Sequence, residues 1–285
     1  VSQANRFSQF PASLAAQTRT ARFGDVPVLL CHPDWNTPAP TVMWLHGRTA
    51  NKELDPGRYL RWVRAGIAAC AIDLPGHGER TDPELQKPEA TLNVLETAVG
   101  EIDRVIEHLT DPVYRGVFDL DRLAIGGMSL GGMVALRRLC EPHEFKAAAV
   151  EGTTGDLQSL YNQHSPEVEA PLRPWHARYD PARLASVDPA QHLRGWRAIP
   201  LLALHSDADV VIPVSSMRKF IEIVRARYVQ TYADPSLVRF QTWPETGAPQ
   251  EHIGFGRVSN EAKNLQTEFL RSHLTPGSPP PSLSR

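Results

Sequence analysis

Apolar residues in this chain gather in short unbroken runs instead of alternating with polar ones. Residues 26–31, 41–46, 67–73, 122–128, 146–151 and 199–205 are each nearly continuous in Val, Ile, Leu, Ala, Met, Trp or Cys. That is how strands covered on both faces read. A further strand is expected over 237–243. Between the runs, apolar positions recur at steps of three and four, as in Leu92, Leu95, Val99, Ile102, Val105, Ile106 and Leu109. The same helical period is expected over 59–65, 133–139, 217–229 and 262–274. Alternating strand and helix with short connectors predicts an α/β fold, a mostly parallel sheet of about eight strands flanked by helices.

One connection breaks the rhythm. Residues 154–198 separate two strands and carry Tyr161, Trp175, Tyr179 and Trp196 among prolines at 166, 171, 174, 181 and 189. A connection of that length in a compact domain is functional or an insertion with its own short helices, and a helical lid is expected. The expected layout is an N-terminal extension over 1–17, one α/β domain over 18–275 containing the lid, and a Pro/Ser-rich tail over 276–285.

Composition removes several function classes. Thirty Lys and Arg against 32 Asp and Glu give a formal charge of −2, so no basic excess exists to grip nucleic acid or an anionic membrane. No apolar run approaches the roughly 18 residues of a membrane span. Residues 1–23 lack a basic start followed by an apolar stretch, so a cytoplasmic location is expected. Cys31, Cys70 and Cys140 are widely spaced and form no C-x-x-C. With no H-E-x-x-H and no Gly-rich dinucleotide fingerprint, no metal and no other cofactor is expected. The expected partner is a small-molecule substrate.

Chemistry enters at Gly127-Met128-Ser129-Leu130-Gly131, a G-x-S-x-G placed between an expected strand and an expected helix. A nucleophile elbow needs that context: small residues permit a strained turn, and the serine stands at a helix N-terminus whose N–H groups favour a developing oxyanion. A serine nucleophile needs a base, and the base needs a carboxylate to hold its tautomer. His252 lies in a Gly/Pro-flanked loop between the last strand and last helix, within reach of the elbow, whereas His273 falls at the end of the last helix. For the acid, both Asp207 and Asp209 stand just beyond the carboxyl end of the sixth run, the expected place for a functional residue in an open α/β sheet.

With these motifs in order, the chain resembles the α/β-hydrolase-fold serine hydrolases, in particular the dienelactone hydrolase-like and prolyl-oligopeptidase-like esterases. The resemblance covers about residues 21–274. His46-Gly47-Arg48-Thr49-Ala50-Asn51-Lys52 resembles the family's His-Gly oxyanion loop, and Asp73-Leu74-Pro75-Gly76-His77-Gly78-Glu79-Arg80 its Asp-x-x-Gly-x-Gly loop. Residues 205–213 resemble His-Gly-x-x-Asp-x-x-Val-Pro, with Ser206 in place of Gly and Ile212 in place of Val. That alignment implies Asp209 as the acid, and it implies an oxyanion hole made by the backbone N–H groups of Arg48 and Leu130. The Arg48 side chain can point to solvent, pair with a carboxylate or face an anionic substrate. His77 is expected to hold its own loop. Trp175, stiffened by Pro171 and Pro174, is the expected substrate-binding wall.

The expected activity is hydrolysis of a carboxylic ester through an acyl-enzyme on Ser129. A peptidase, amidase, thioesterase or lactonase with the same triad stands beside it, and from another class an inactive binding scaffold. Serine at the elbow disfavours dehalogenase and dienelactone hydrolase chemistry, which place Asp and Cys there.

Overall fold

The computed structural model describes residues 9–161 and 177–275. Eight strands form one sheet: β1 (Thr18–Phe23), β2 (Val26–Cys31), β3 (Ala39–Leu45), β4 (Ala68–Ile72), β5 (Phe118–Met128), β6 (Ala147–Glu151), β7 (Leu201–Ser206) and β8 (Val238–Trp243). They lie in the order β1-β2-β4-β3-β5-β6-β7-β8. β1 and β2 are antiparallel to their neighbours, and every pairing from β4 across to β8 is parallel. Strands β2, β3, β4, β6 and β7 are buried at every position, which is why their sequences read as unbroken apolar runs. β1 was not among the expected strands. Its Thr-Arg-Thr-Ala-Arg-Phe lies at the sheet edge with only its two ends buried, so it has no apolar run to betray it. The Gly24-Asp25 turn, with Gly24 at φ 60°, folds it back on β2.

Helices cover both faces. On one side lie α1 (Ala12–Ala15), α2 (Pro56–Arg64) and α8 (Ser259–Leu274), packed with Leu29, Val42, Ala69 and Leu202. Leu14 of α1 is fully buried there beside Tyr59 and Trp62. On the other lie α3 (Thr91–His108), α4 (Leu130–Arg138) and α7 (Val214–Gln230), packed with Leu30, Met43, Ile125 and Val150. Among the described residues, no helix is long and apolar enough to cross a membrane. The described part of the β6–β7 connection holds α5 (Leu157–Tyr161), α6 (Pro181–Val187) and short turns at Pro189–Gln191 and Leu193–Gly195.

That connection returns to the sheet through a buried knot. Trp196 is core, edge-on to Phe220 of α7. The Tyr228 hydroxyl of α7 accepts from Trp196 Nε1 (3.2 Å) and the Ile199 N–H (3.0 Å) and donates to the Ile199 carbonyl (2.6 Å). Tyr228→Phe strands these groups in an apolar surrounding, and should cost roughly 2–4 kcal/mol in denaturant melts. The neighbouring exposed Val229→Ala should cost about 0.5 kcal/mol or less.

Helix α4 leans so closely on β3 that a Cβ on Gly131 would lie 2.2 Å from the Leu45 carbonyl oxygen. Gly100, on the exposed side of α3, has nothing within 4 Å. Gly131→Ala should therefore lower the melting temperature by about 6 °C or more, a loss beyond about 2 kcal/mol. Gly100→Ala should leave it level or raise it, because alanine suits a helix interior by up to about 1 kcal/mol.

Candidate active site

Ser129 caps α4 at the carboxyl end of β5 with φ 52° and ψ −119°, a left-handed backbone that a side-chain-bearing residue adopts only when its surroundings enforce it. Here they do. Its N–H donates to the Glu151 carbonyl (2.9 Å), and its carbonyl accepts from Thr153 Oγ1 (2.7 Å). The glycines are space, not flexibility: a Cβ on Gly127 would strike Gly131, and one on Gly132 would strike Thr153 at 2.6 Å. The expected strand–turn–helix elbow is present.

His252 follows a short turn at Pro249–Glu251 and is nearly buried. Its Nε2 lies 2.9 Å from Ser129 Oγ and its Nδ1 2.8 Å from Asp209 Oδ2. A carboxylate only accepts, so Nδ1 carries the proton and Nε2 presents a lone pair to the serine hydroxyl. Asp209 Oδ1 accepts the N–H groups of Val211 and Ile212, both at 2.8 Å. His205 Nε2, which donates to the Ile212 carbonyl at 2.9 Å, stands 3.4 Å from Oδ2. Burial alone would raise the Asp209 carboxyl, but the hydrogen bonds from His205 and His252 outweigh it and bring it down to about 2. Asp209 is therefore ionised at any pH where the fold is expected to work. Asp207 is exposed and bonded to Arg218 and Thr242, and His273 bonds its own helix through the Phe269 carbonyl. Neither meets Ser129.

The loop after β3 stands against the serine. A Cβ on Gly47 would lie 3.4 Å from Ser129 Cβ. His46 holds this loop by accepting the Leu74 N–H at Nε2 (3.0 Å) and donating from Nδ1 to the Gly47 carbonyl (2.7 Å). Burial pushes the His46 imidazole down to about 4, so it stays neutral. Lys52 is fully buried, its Nζ at 2.6 Å from Asp73 Oδ2 and 2.5 Å from Glu79 Oε1, which ties the loop to the one after β4. His77 donates to the Pro75 carbonyl within its own loop (2.8 Å). The Arg48 side chain lies across the site and donates to the Gln86 and Lys87 carbonyls (2.9 and 3.1 Å) and to the Thr91 hydroxyl.

Ser129 and His252 open on a cavity of about 350 Å³. Leu54, Met133, Leu160, Val211, Ile212 and Ile253 make most of its wall apolar, and Arg48 and Leu130, the expected oxyanion residues, line it as well. Of the expected aromatic wall, Tyr161 lines the cavity with Tyr179 edge-on behind it at 4.9 Å, and Trp196 belongs to the core. Trp175 lies outside the described residues. Sequence reasoning missed Glu251, whose carboxylate accepts from Ser206 Oγ, Thr246 and Gly247. It also missed Arg58 and Glu151, an ion pair at 2.5 Å beneath the elbow. The one available signal was Ser206, which stands where the resembled pattern has glycine.

Known proteins can be set beside this geometry. Residues 93–276 match the prolyl oligopeptidase family. The esterase YjfP of Escherichia coli (strain K12) is 25% identical over 282 residues, 90% of this chain and 99% of its own. The putative esterase YitV of Bacillus subtilis (strain 168) is 24% identical over 194 residues, 66% of this chain and 76% of its own. The fold matches the crystal structure of TT1662 from Thermus thermophilus with a TM-score of 0.63 at 24% identity, over 90% of this chain and 98% of that one. It also matches the acylaminoacyl peptidase of Pyrococcus horikoshii, with a TM-score of 0.67 at 16% identity, over 92% of this chain but 42% of that one. The family match takes in Ser129, Asp209 and His252 and well over half of the chain, which therefore belongs to the prolyl oligopeptidase family and is a serine hydrolase.

Proposed function

We propose that the protein hydrolyses carboxylic esters with an apolar acyl or alcohol group through an acyl-enzyme on Ser129. The observation that carries this reading is the unbroken chain from Ser129 Oγ through His252 to Asp209, at 2.9 and 2.8 Å, opening on an apolar-walled cavity. In the proposed reaction His252 Nε2 takes the hydroxyl proton as Oγ attacks the ester carbonyl. Asp209 stabilises the imidazolium that forms. The N–H groups of Leu130 and Arg48 receive the oxyanion, a role in which one such donor is worth roughly 3 kcal/mol of barrier. Collapse expels the alcohol, which takes its proton from Nε2. Water, deprotonated by the same nitrogen, then releases the acid and restores the serine.

The ester reading is favoured over amide cleavage by the names of the two relatives, an esterase and a putative esterase. YjfP also matches this chain over nearly its whole length. The peptidase reading draws on the family match and on the acylaminoacyl peptidase neighbour, of which this chain spans only two fifths. A panel of p-nitrophenyl esters, thioesters, lactones and aminoacyl p-nitroanilides compared by kcat/KM decides between them. Esters should lead by about a hundredfold or more; a lead for the anilides would make the protein a peptidase.

Ser129→Ala should cut kcat by about 10⁴-fold or more and abolish labelling by a fluorophosphonate probe, without loss of melting temperature. Asp209→Asn should cost on the order of 10³–10⁴ in kcat, because asparagine cannot stabilise the imidazolium and favours the wrong tautomer. Asp207→Asn, on the surface, should stay within about twofold. Steady-state kinetics of the two variants side by side test the choice of acid, and equal losses would contradict it.

A further inference from the structure

The loop that carries His252 is an unfavourable piece of backbone. Gln250 and Glu251, neither of them glycine, both adopt left-handed conformations, at φ 56° and 54°. Each costs on the order of 1 kcal/mol and persists only where something else over-determines it. The Glu251 side chain does so. Its Oε2 accepts from the Thr246 N–H (2.6 Å), Thr246 Oγ1 (2.7 Å) and Ser206 Oγ (2.7 Å), and its Oε1 accepts from the Gly247 N–H (2.6 Å). Thr246 and Ser206 are buried. Burial alone would raise this carboxyl, but the four donors bring it down to about 2, so it is ionised throughout the working range.

Three of these bonds close the loop on itself, and the fourth, from Ser206, ties it to β7. Thr246 and Gly247 begin the loop that ends at His252. Ser206 is the last residue of β7, three before Asp209. The join is reinforced where the Val210 N–H donates to the Gln250 carbonyl (3.2 Å). Ser206 is also the position at which this chain departs from the glycine of the His-Gly-x-x-Asp pattern. The departure and the glutamate are two halves of one contact.

We propose that Glu251 is a positioning residue: its carboxylate clamps the His252 loop to the Asp209 end of β7 through Ser206, holding the imidazole between its acid and its nucleophile. This rests on the triad reading above. Misplacing a reacting group by about 1 Å costs on the order of a hundredfold in rate. An amide keeps one acceptor oxygen but must turn its NH₂ toward a donor, so glutamine restores the clamp only in part.

The test measures kcat and KM per active site titrated with a fluorophosphonate, together with melting temperature. Glu251→Ala should lower kcat about a hundredfold with KM within about threefold, and Glu251→Gln should recover about tenfold of that loss. Ser206→Ala should lower kcat several-fold alone and by nothing further in the Glu251→Ala background, since both remove one interaction. Wild-type kcat per titrated site in Glu251→Ala, whatever its melting temperature, would reduce Glu251 to a loop stabiliser and overturn the proposal. So would independent, multiplying losses for Ser206 and Glu251. Should Glu251→Ala not fold, the same cycle run with Glu251→Gln and Ser206→Ala gives the decision. A wild-type protein that neither labels nor hydrolyses any ester or anilide would overturn the triad reading itself, and the clamp with it; an active wild type with an unaffected Glu251→Ala overturns the clamp alone.

Discussion

The close approach of α4 to β3 is the constraint on which the site depends. Gly131 packs against the Leu45 and His46 carbonyls, and Gly127 against Gly131 itself, at separations that leave no room for a side chain. Held so tightly, the chain must turn within one residue from β5 into α4, and Ser129 takes the left-handed conformation that the turn demands. Ser129 then stands at the head of α4, and the next loop, Gly47–Arg48, lies against it. Strain at one residue is offset by its hydrogen bonds to the Glu151 carbonyl on the neighbouring strand and from the Thr153 hydroxyl in the loop that follows it.

Around that turn ionic contacts tie loops, helices and a strand end to one another. Lys52 joins the loops after β3 and β4 by bonding Asp73 and Glu79, and Arg80 pairs with Glu101 of α3. Beneath the elbow the Arg58 guanidinium meets Glu151 and lies over the Trp44 ring at 4.1 Å. Burial raises the Glu151 carboxyl and the guanidinium beside it offsets that in part. Such buried pairs contribute little net stability, because desolvation cancels most of the attraction, but breaking one leaves a bare charge inside the protein. Each catalytic-loop segment is thereby attached to its neighbour by at least one buried ionic or multi-donor contact, with apolar packing left to fix the sheet.

Much of this was legible in the residues. The five fully buried strands announced themselves because burial on both faces requires continuous apolar runs, and Ser129 because a strained elbow requires small residues at fixed offsets. His252 could be picked from eleven histidines because a parallel sheet places functional groups past its strand ends in a set chain order, whereas Asp209 was preferred to Asp207 only through the resemblance to the His-Gly-x-x-Asp pattern. The polar edge strand β1 was not legible, since its place is set by pairing with β2 and not by its own composition. Nor was the fate of the long insertion's aromatics: Tyr161 and Trp196 both belong to it, yet one lines the cavity and the other is buried against Tyr228 and Phe220. The partner of Glu251 was equally hidden. Local sequence determines periodicity, turn chemistry and the order of motifs, because these act within a few residues of one another. Which donors converge on a carboxylate 45 residues from Ser206, and which side chain reaches the cavity, is decided only when the packed sheet brings distant loops to the same edge.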